Sequence, residues 1–169
     1  MRDASGADES SAGLPPPCQQ GIEQAIDEAS TLERLLSLRA LLSHDTPFLQ
    51  EWSSGQGITL TLSFAELSSR VAEAVVNLAG RDVDCGDRVA LLSHPTLPCF
   101  VHAYAVMAMG GACTLLNWRQ PANVVAEMIC NSSCVVLLLS DAFEPQVRHL
   151  RHRCTIALYP PNPLLLFRR

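Results

Sequence analysis

Six consecutive apolar residues, Cys134-Val135-Val136-Leu137-Leu138-Leu139, constrain this chain more than any other feature. A strand sends successive side chains to opposite faces, so a strand made of this run is apolar on both faces and needs cover on both. Val89-Ala90-Leu91-Leu92 repeats the pattern earlier. Between these runs the spacing changes to a helical one. Pro98 to Met109 reads as a helix ended by Gly110-Gly111, and Ala112 to Leu116 as a strand. Pro121 stands at a first helical position, and Val124, Val125, Met128 and Ile129 form the apolar face of that helix. Asp141 to Leu150 reads as a short helix and Thr155 to Leu158 as a last strand. Alternating strands and helices of this kind predict an α/β fold, a mostly parallel sheet with helices on both faces joined by right-handed crossovers. The composition agrees, with 48% hydrophobic and only 17% charged residues. At 169 residues the chain can form one domain with a sizeable core.

Upstream, apolar residues from Ile22 to Leu42 recur at helical spacing and predict one helix over 21–43, stopped by Thr46-Pro47. Phe48 to Trp52 and Ile58 to Leu62 are β-prone, and Ser53-Ser54-Gly55-Gln56-Gly57 between them reads as a hairpin loop. Ser63 and Glu66 fit a capping box. Phe64, Leu67, Val71, Ala74, Val75 and Leu78 then continue as a helix for which Gly80 is the expected stop. Residues 1–20 are rich in Ser, Gly, Asp and Pro and read as a disordered leader, residues 21–158 as the α/β domain, and residues 159–169 as an atypical tail. No charged residue occurs from Val89 to Trp118, a run long enough for a membrane span, but Pro95, Pro98 and the glycine pair interrupt it. A buried helix followed by a buried strand explains the run, and no transmembrane span is expected.

The net charge of −5 gives no reason to expect a nucleic-acid partner. All twelve basic residues are arginine. The seven cysteines are odd in number, lack any C-x-x-C pattern and sit mostly in apolar runs. No secretion signal precedes them, so an intracellular, cytoplasmic place is expected. A zinc site can be drawn from Cys130, Cys134, His149, His152 and Cys154, but the spacing fits no common ligand pattern and core packing is the better reading. Ser93, His94 and Cys99 lie near one strand's end, where a nucleophile and base could meet. Ser93-His94-Pro95 is equally a helix start, and that reading is preferred. His102, inside an apolar helix, reads as a satisfied core histidine. There is no G-x-G-x-x-G, no Walker-type loop and no G-x-S-x-G elbow. From the residues alone the chain is an α/β domain with no catalytic constellation.

Four segments resemble, in order, the N-terminal part of the adenylate-forming (AMP-dependent synthetase/ligase) superfamily. Leu62-Ser63-Phe64-Ala65-Glu66-Leu67 resembles L-[TS]-Y-x-E-L, and Gly86-Asp87-Arg88-Val89-Ala90 resembles G-D-x-V-A. Met107 to Asn117 resembles L-K-A-G-x-A-Y-V-P-L-[DN] at its glycine, alanine and final polar positions, but departs at its lysine, tyrosine and proline. Asn117-Trp118-Arg119 is similar to the L-N-x-R of acyl-CoA synthetases rather than to amino-acid-activating domains. The resemblance covers about Leu32 to Leu150.

It implies a parent enzyme that uses ATP and Mg2+ to turn a carboxylic acid substrate into an acyl-adenylate, then passes the acyl group to coenzyme A. That chemistry needs cationic and backbone stabilisation of phosphates. The family's T-S-G-T-T-G-x-P-K-G loop, aromatic-Gly-x-T-E segment and catalytic lysine are missing from these residues, which contain no lysine. The expectation is therefore an incomplete N-terminal subdomain, a truncated ligase inactive alone, with no catalytic, cofactor-binding or metal residue and no cofactor of its own. The other expectation is a non-catalytic α/β interaction module, with self-association through exposed sheet edges.

Overall fold

The computed structural model describes residues 21, 24–26, 29–150 and 155–158. The leader, the tail after Leu158, and His152 and Cys154 of the drawn zinc set lie outside these residues. The single helix expected over 21–43 is instead two helical stretches. Residues 24–26 are helical, Ala29 and Ser30 are not, and helix α1 runs Leu32–Leu42. Thr31 makes the difference: its Oγ1 accepts from the Arg34 amide at 3.2 Å, an N-cap that starts a new helix.

Strands β1 (Pro47–Ser53) and β2 (Gly57–Ser63) form an antiparallel hairpin that is a sheet of its own. Gly55 (φ 88°) and Gly57 (φ 76°) supply the left-handed turn residues. Helix α2 (Phe64–Ala79) follows directly. Its capping box is complete: Glu66 N–H donates to Ser63 Oγ, and Ser63 N–H donates to Glu66 Oε2 at 2.9 Å. The Phe64 and Ala65 amides donate to the Thr46 and His44 carbonyls, so the first three amides of the helix are all satisfied. The helix stops where expected, at Ala79 with Gly80 as its cap. Gly80 is right-handed (φ −65°), the chain winds on through Arg81, and the left-handed residue is Asp82 (φ 58°).

The second sheet has four parallel strands in the order β4-β3-β5-β6: β3 is Arg88–Leu92, β4 Ala112–Leu115, β5 Val136–Leu139 and β6 Thr155–Leu158. Helix α3 (Leu97–Ala108) joins β3 to β4, and α4 (Ala122–Ser132) joins β4 to β5. Pro121 stands one position before its expected place; it is the cap, and its carbonyl accepts from the Val124 and Val125 amides. The segment expected as one helix over 141–150 is a 3₁₀ turn (Asp141–Phe143), the short α5 (Glu144–Val147) and a second 3₁₀ turn (Arg148–Leu150).

Alternation along the strands divides the core in two. Val89, Leu91, Val136 and Leu138 pack with Leu36, Leu67, Val71, Leu78 and Val106, so α1, α2 and α3 cover one face. Ala90, Leu92, Leu137 and Leu139 pack with Val125, Ile129, Phe143 and Val147, so α4 and α5 cover the other. Both faces of β3 and β5 are thus dry, as their unbroken apolar runs require. Each fully buried leucine here is worth about 1.5–3 kcal/mol. The connection from β3 moves outward to β4 over the first face, and the connection from β4 moves back past β3 to β5 over the second. Reversing direction and face together gives both crossovers the same hand.

Candidate functional site

Connections leave β3 over one face and β5 over the other, so the switch point at which open parallel sheets form their crevice lies between the carboxyl ends of these neighbouring strands. Three loops meet there. The loop after β3 brings Ser93 and His94, the loop after β4 brings Asn117, Trp118 and Arg119, and the turn after β5 brings Ser140 and Phe143. The His94 ring stands edge-on to Trp118 (4.3 Å between centroids) and lies 5.0 Å from Phe143. The Arg119 guanidinium carbon sits 4.2 Å over the Trp118 ring, within cation–π range. Asn117 makes this possible by closing a turn: its Oδ1 accepts from the Arg119 amide at 3.1 Å and its carbonyl from the Gln120 amide. The Asn-Trp-Arg segment is thus a side-chain-capped turn that stacks its third residue on its second. Ser140 Oγ, just after β5, and Gln146 Oε1, on α5, are buried and have no hydrogen-bond partner among the described residues.

The nucleophile–base reading does not survive this geometry. Ser93 is buried and its hydroxyl donates to the backbone carbonyl of His94 at 2.8 Å, not to an imidazole nitrogen. Cys99 belongs to the core on the α3 side of the sheet, while His94 packs against Trp118 and Phe143. His102 is half-buried with Nδ1 2.8 Å from the Pro98 carbonyl, and burial holds its pKa below the usual histidine value. Cys130 is exposed on α4, whereas Cys134 is buried with its thiol directed to the Ile129 carbonyl. Among the described residues no three His, Cys, Asp or Glu side chains gather into a metal-holding group. The Cys113 thiol is pushed up to about 12, chiefly by burial and then by Cys99. No helix among the described residues is long and apolar enough to cross a membrane.

Two of the segments quoted above meet at the opposite end of the sheet. The Gly86 amide donates to the Gly110 carbonyl at 3.1 Å, and the Ala112 amide to the Asp87 carbonyl at 2.7 Å. Gly86 (φ 89°) and Gly110 (φ 77°) both need left-handed backbone. A Cβ on Gly111 would come within 3.0 Å of the Asp87 carbonyl oxygen. These positions set how β4 starts beside β3.

Residues 40–164 match the AMP-binding enzyme family, and the match spans most of the chain. The chain belongs to that family. Among solved members of similar fold, a putative long-chain-fatty-acid CoA ligase from Rhodopseudomonas palustris superposes with a TM-score of 0.67 at 19% identity, covering 78% of this chain and 33% of that one. The O-succinylbenzoate coenzyme A synthetase of Bacillus subtilis superposes at 0.63 with 23% identity, covering 72% of this chain and 25% of that one. A hybrid PKS-NRPS synthetase from Neonectria sp. is 33% identical over 92 residues, which are 54% of this chain and 2% of that protein. The family's architecture here is the mixed α/β N-terminal unit, its parallel sheet included. The chain spans about a third of the ligase it superposes on.

Sequence reasoning singled out His94 and quoted Trp118 and Arg119, but missed Phe143, Ser140 and their meeting. The signal was available: once β3, β4 and β5 are read as parallel neighbours, the residues just after each must share one end of the sheet.

Proposed function

We propose that this chain is the N-terminal α/β part of a carboxylate-activating, acyl-CoA-synthetase-like ligase, residues 21–158 forming the domain, and that the 169 residues do not complete the adenylation alone. The carrying observation is that the family match runs from before β1 to beyond β6. The likeness is therefore to a whole architectural unit and not to one capping box. In the proposed parent a carboxylate attacks the α-phosphorus of ATP, forming an acyl-adenylate and releasing pyrophosphate, and the thiol of coenzyme A then displaces AMP to form the thioester. We assign neither ATP nor Mg2+ to side chains of this chain. It has no lysine, and no cluster of acidic or imidazole ligands occurs among its described residues, so no step is assigned to its side chains. The crevice of His94, Trp118 and Phe143 is the end of the domain we assign to the ligand side, following the rule for open parallel sheets. A cytoplasmic place is part of the same reading, on the thiol form of Cys85 and Cys113.

ATP–pyrophosphate exchange with a panel of carboxylates tests the chain itself: no exchange above background is expected, and clear turnover would refute inactivity. Reading the transcript and genomic DNA beyond Arg169 tests the parent, since an in-frame T-S-G-T-T-G-x-P-K-G is expected there. A non-catalytic interaction module is favoured by a different observation. Trp52 (68% exposed) and Ile58 (57%) sit opposite each other on the hairpin, and Leu115 (59%) on the edge strand β4. A stable monomer in size-exclusion chromatography would count against that second reading.

A further inference from the structure

We propose that the β1–β2 hairpin is a strap that positions the crevice through Glu51, a positioning residue on a different sheet. The Leu97 amide donates to Glu51 Oε2 at 3.1 Å, across 46 positions of sequence. Leu97 is the first residue of α3. Thr96, in the cap position, makes no side-chain bond to the helix, and Pro98 has no amide to offer. Glu51 therefore takes the cap's place, and its half-buried carboxylate lies where a helix N-terminus favours an anion. The hairpin holds Glu51 in turn, since Thr59 Oγ1 donates to the Glu51 carbonyl at 3.2 Å.

What the bond holds is the loop that carries His94. The Thr96 amide and the Ser93 hydroxyl both donate to the His94 carbonyl at 2.8 Å, so Ser93 to Thr96 is one tight unit ending at the first turn of α3. His94 is also the residue that contacts both Trp118 and Phe143. A shift of that turn therefore moves the ring at which all three loops meet. The inference rests on the proposed function only in treating the crevice as the ligand side; the strap is read from the bonds themselves.

The test uses the whole chain under native conditions, with amide hydrogen exchange and heteronuclear NMR on Glu51→Ala, Glu51→Gln, Glu51→Met and Gln50→Ala. Losing a charge-assisted bond should speed Leu97 exchange about tenfold or more in Glu51→Ala. The Trp118 indole and His94 ring resonances should shift with it. Glu51→Gln keeps an acceptor oxygen and should return all three readouts toward wild type. Gln50→Ala, one residue away on the other hairpin face, should leave them in place. Glu51→Met keeps the packed stem without the acceptor and should also speed Leu97 exchange and shift the Trp118 and His94 resonances, which supplies the readout if the alanine variant does not fold. The strap is overturned by unchanged Leu97 exchange in the variants without an acceptor. It is equally overturned by a change at Leu97 with Trp118 and His94 unmoved, or by faster exchange spread evenly along the chain. Failure of the ligase reading would leave these readouts as they are.

Discussion

Replacing Gly110 by alanine sets two separable costs against each other. Gly110 has φ +77°, a conformation that costs an L-residue about 1–2 kcal/mol. The added Cβ would also lie 2.7 Å from Cys85 Sγ, too close for any real contact. Cys85 is exposed and its sulfur can swing aside, so the overpacking cost falls at the low end of its range, about 1 kcal/mol. Gly110→Ala should therefore destabilise the chain by about 2–3 kcal/mol. In a Cys85→Ala background the nearest remaining atom is the residue-85 Cβ, at an ordinary 3.8 Å. There only the backbone cost of about 1–2 kcal/mol should remain, a coupling of about 1 kcal/mol between the two sites. Cys85→Ala alone should cost within about 0.5 kcal/mol, as surface changes do. Gly111→Ala is the control. Its Cβ would meet the Asp87 and Val106 carbonyl oxygens at 3.0 and 3.1 Å, and removing the sulfur cannot relieve that. Urea unfolding followed by far-ultraviolet circular dichroism gives each free energy, with unchanged slopes validating the comparison. If Gly110→Ala costs the same in both backgrounds, the contact with Cys85 is wrong. If it costs nothing in either, the left-handed turn is wrong.

Burial holds the His102 pKa below its usual 6.5, so the unfolded chain takes up the proton first and stability falls as pH drops through that value. The difference in urea midpoint between mildly acidic and neutral pH should be smaller in His102→Gln than in wild type. With its thiol pushed up to about 12 and half-buried, Cys113 should react with iodoacetamide at about pH 8 roughly tenfold or more slowly than exposed Cys85, as read by peptide mass mapping. Equal rates would mean that β4 does not hold Cys113 in the core.

What was legible in the sequence was whatever depends on local periodicity. The runs at Val89 and Val136 are apolar on both faces because both faces are covered, and Ser63 with Glu66 reads as a cap because the capping bonds span three residues. Gly80 caps α2 where its residue type predicts, though Arg81 and Asp82 donate to the Leu78 and Ala79 carbonyls and the left-handed residue is Asp82. An error arose where a local cap overrides the apolar spacing. Thr31 caps a second helix in a stretch whose apolar spacing reads as one. The crevice was illegible for a different reason: His94, Trp118 and Phe143 come from three connections, and no periodicity links them. Glu51 was illegible on the same ground, since its partner Leu97 lies on another sheet's connection.

The structure also explains how so low an identity accompanies so similar a fold. Superposition at a TM-score of 0.67 with 19% identity shows the same fold built with few residues in common, and some positions of this chain have a residue choice limited by backbone geometry. The quoted segments are of that kind. Gly86 and Gly110 are left-handed and hydrogen-bonded to each other, Gly111 has no room for a Cβ, Ser63 and Glu66 satisfy helix amides, and Asn117 closes a turn by capping the Arg119 amide. Core positions between them need only be apolar and of fitting volume, which many sequences satisfy. The segments by which the chain resembles its family therefore act in construction: they place β3, β4 and α2. A swap test separates these positions from the loop residues. Exchanging the loop residues His94 and Trp118 for those of a ligase of the same fold should leave the urea midpoint close to wild type, whereas exchanging Gly110 for any L-residue should not.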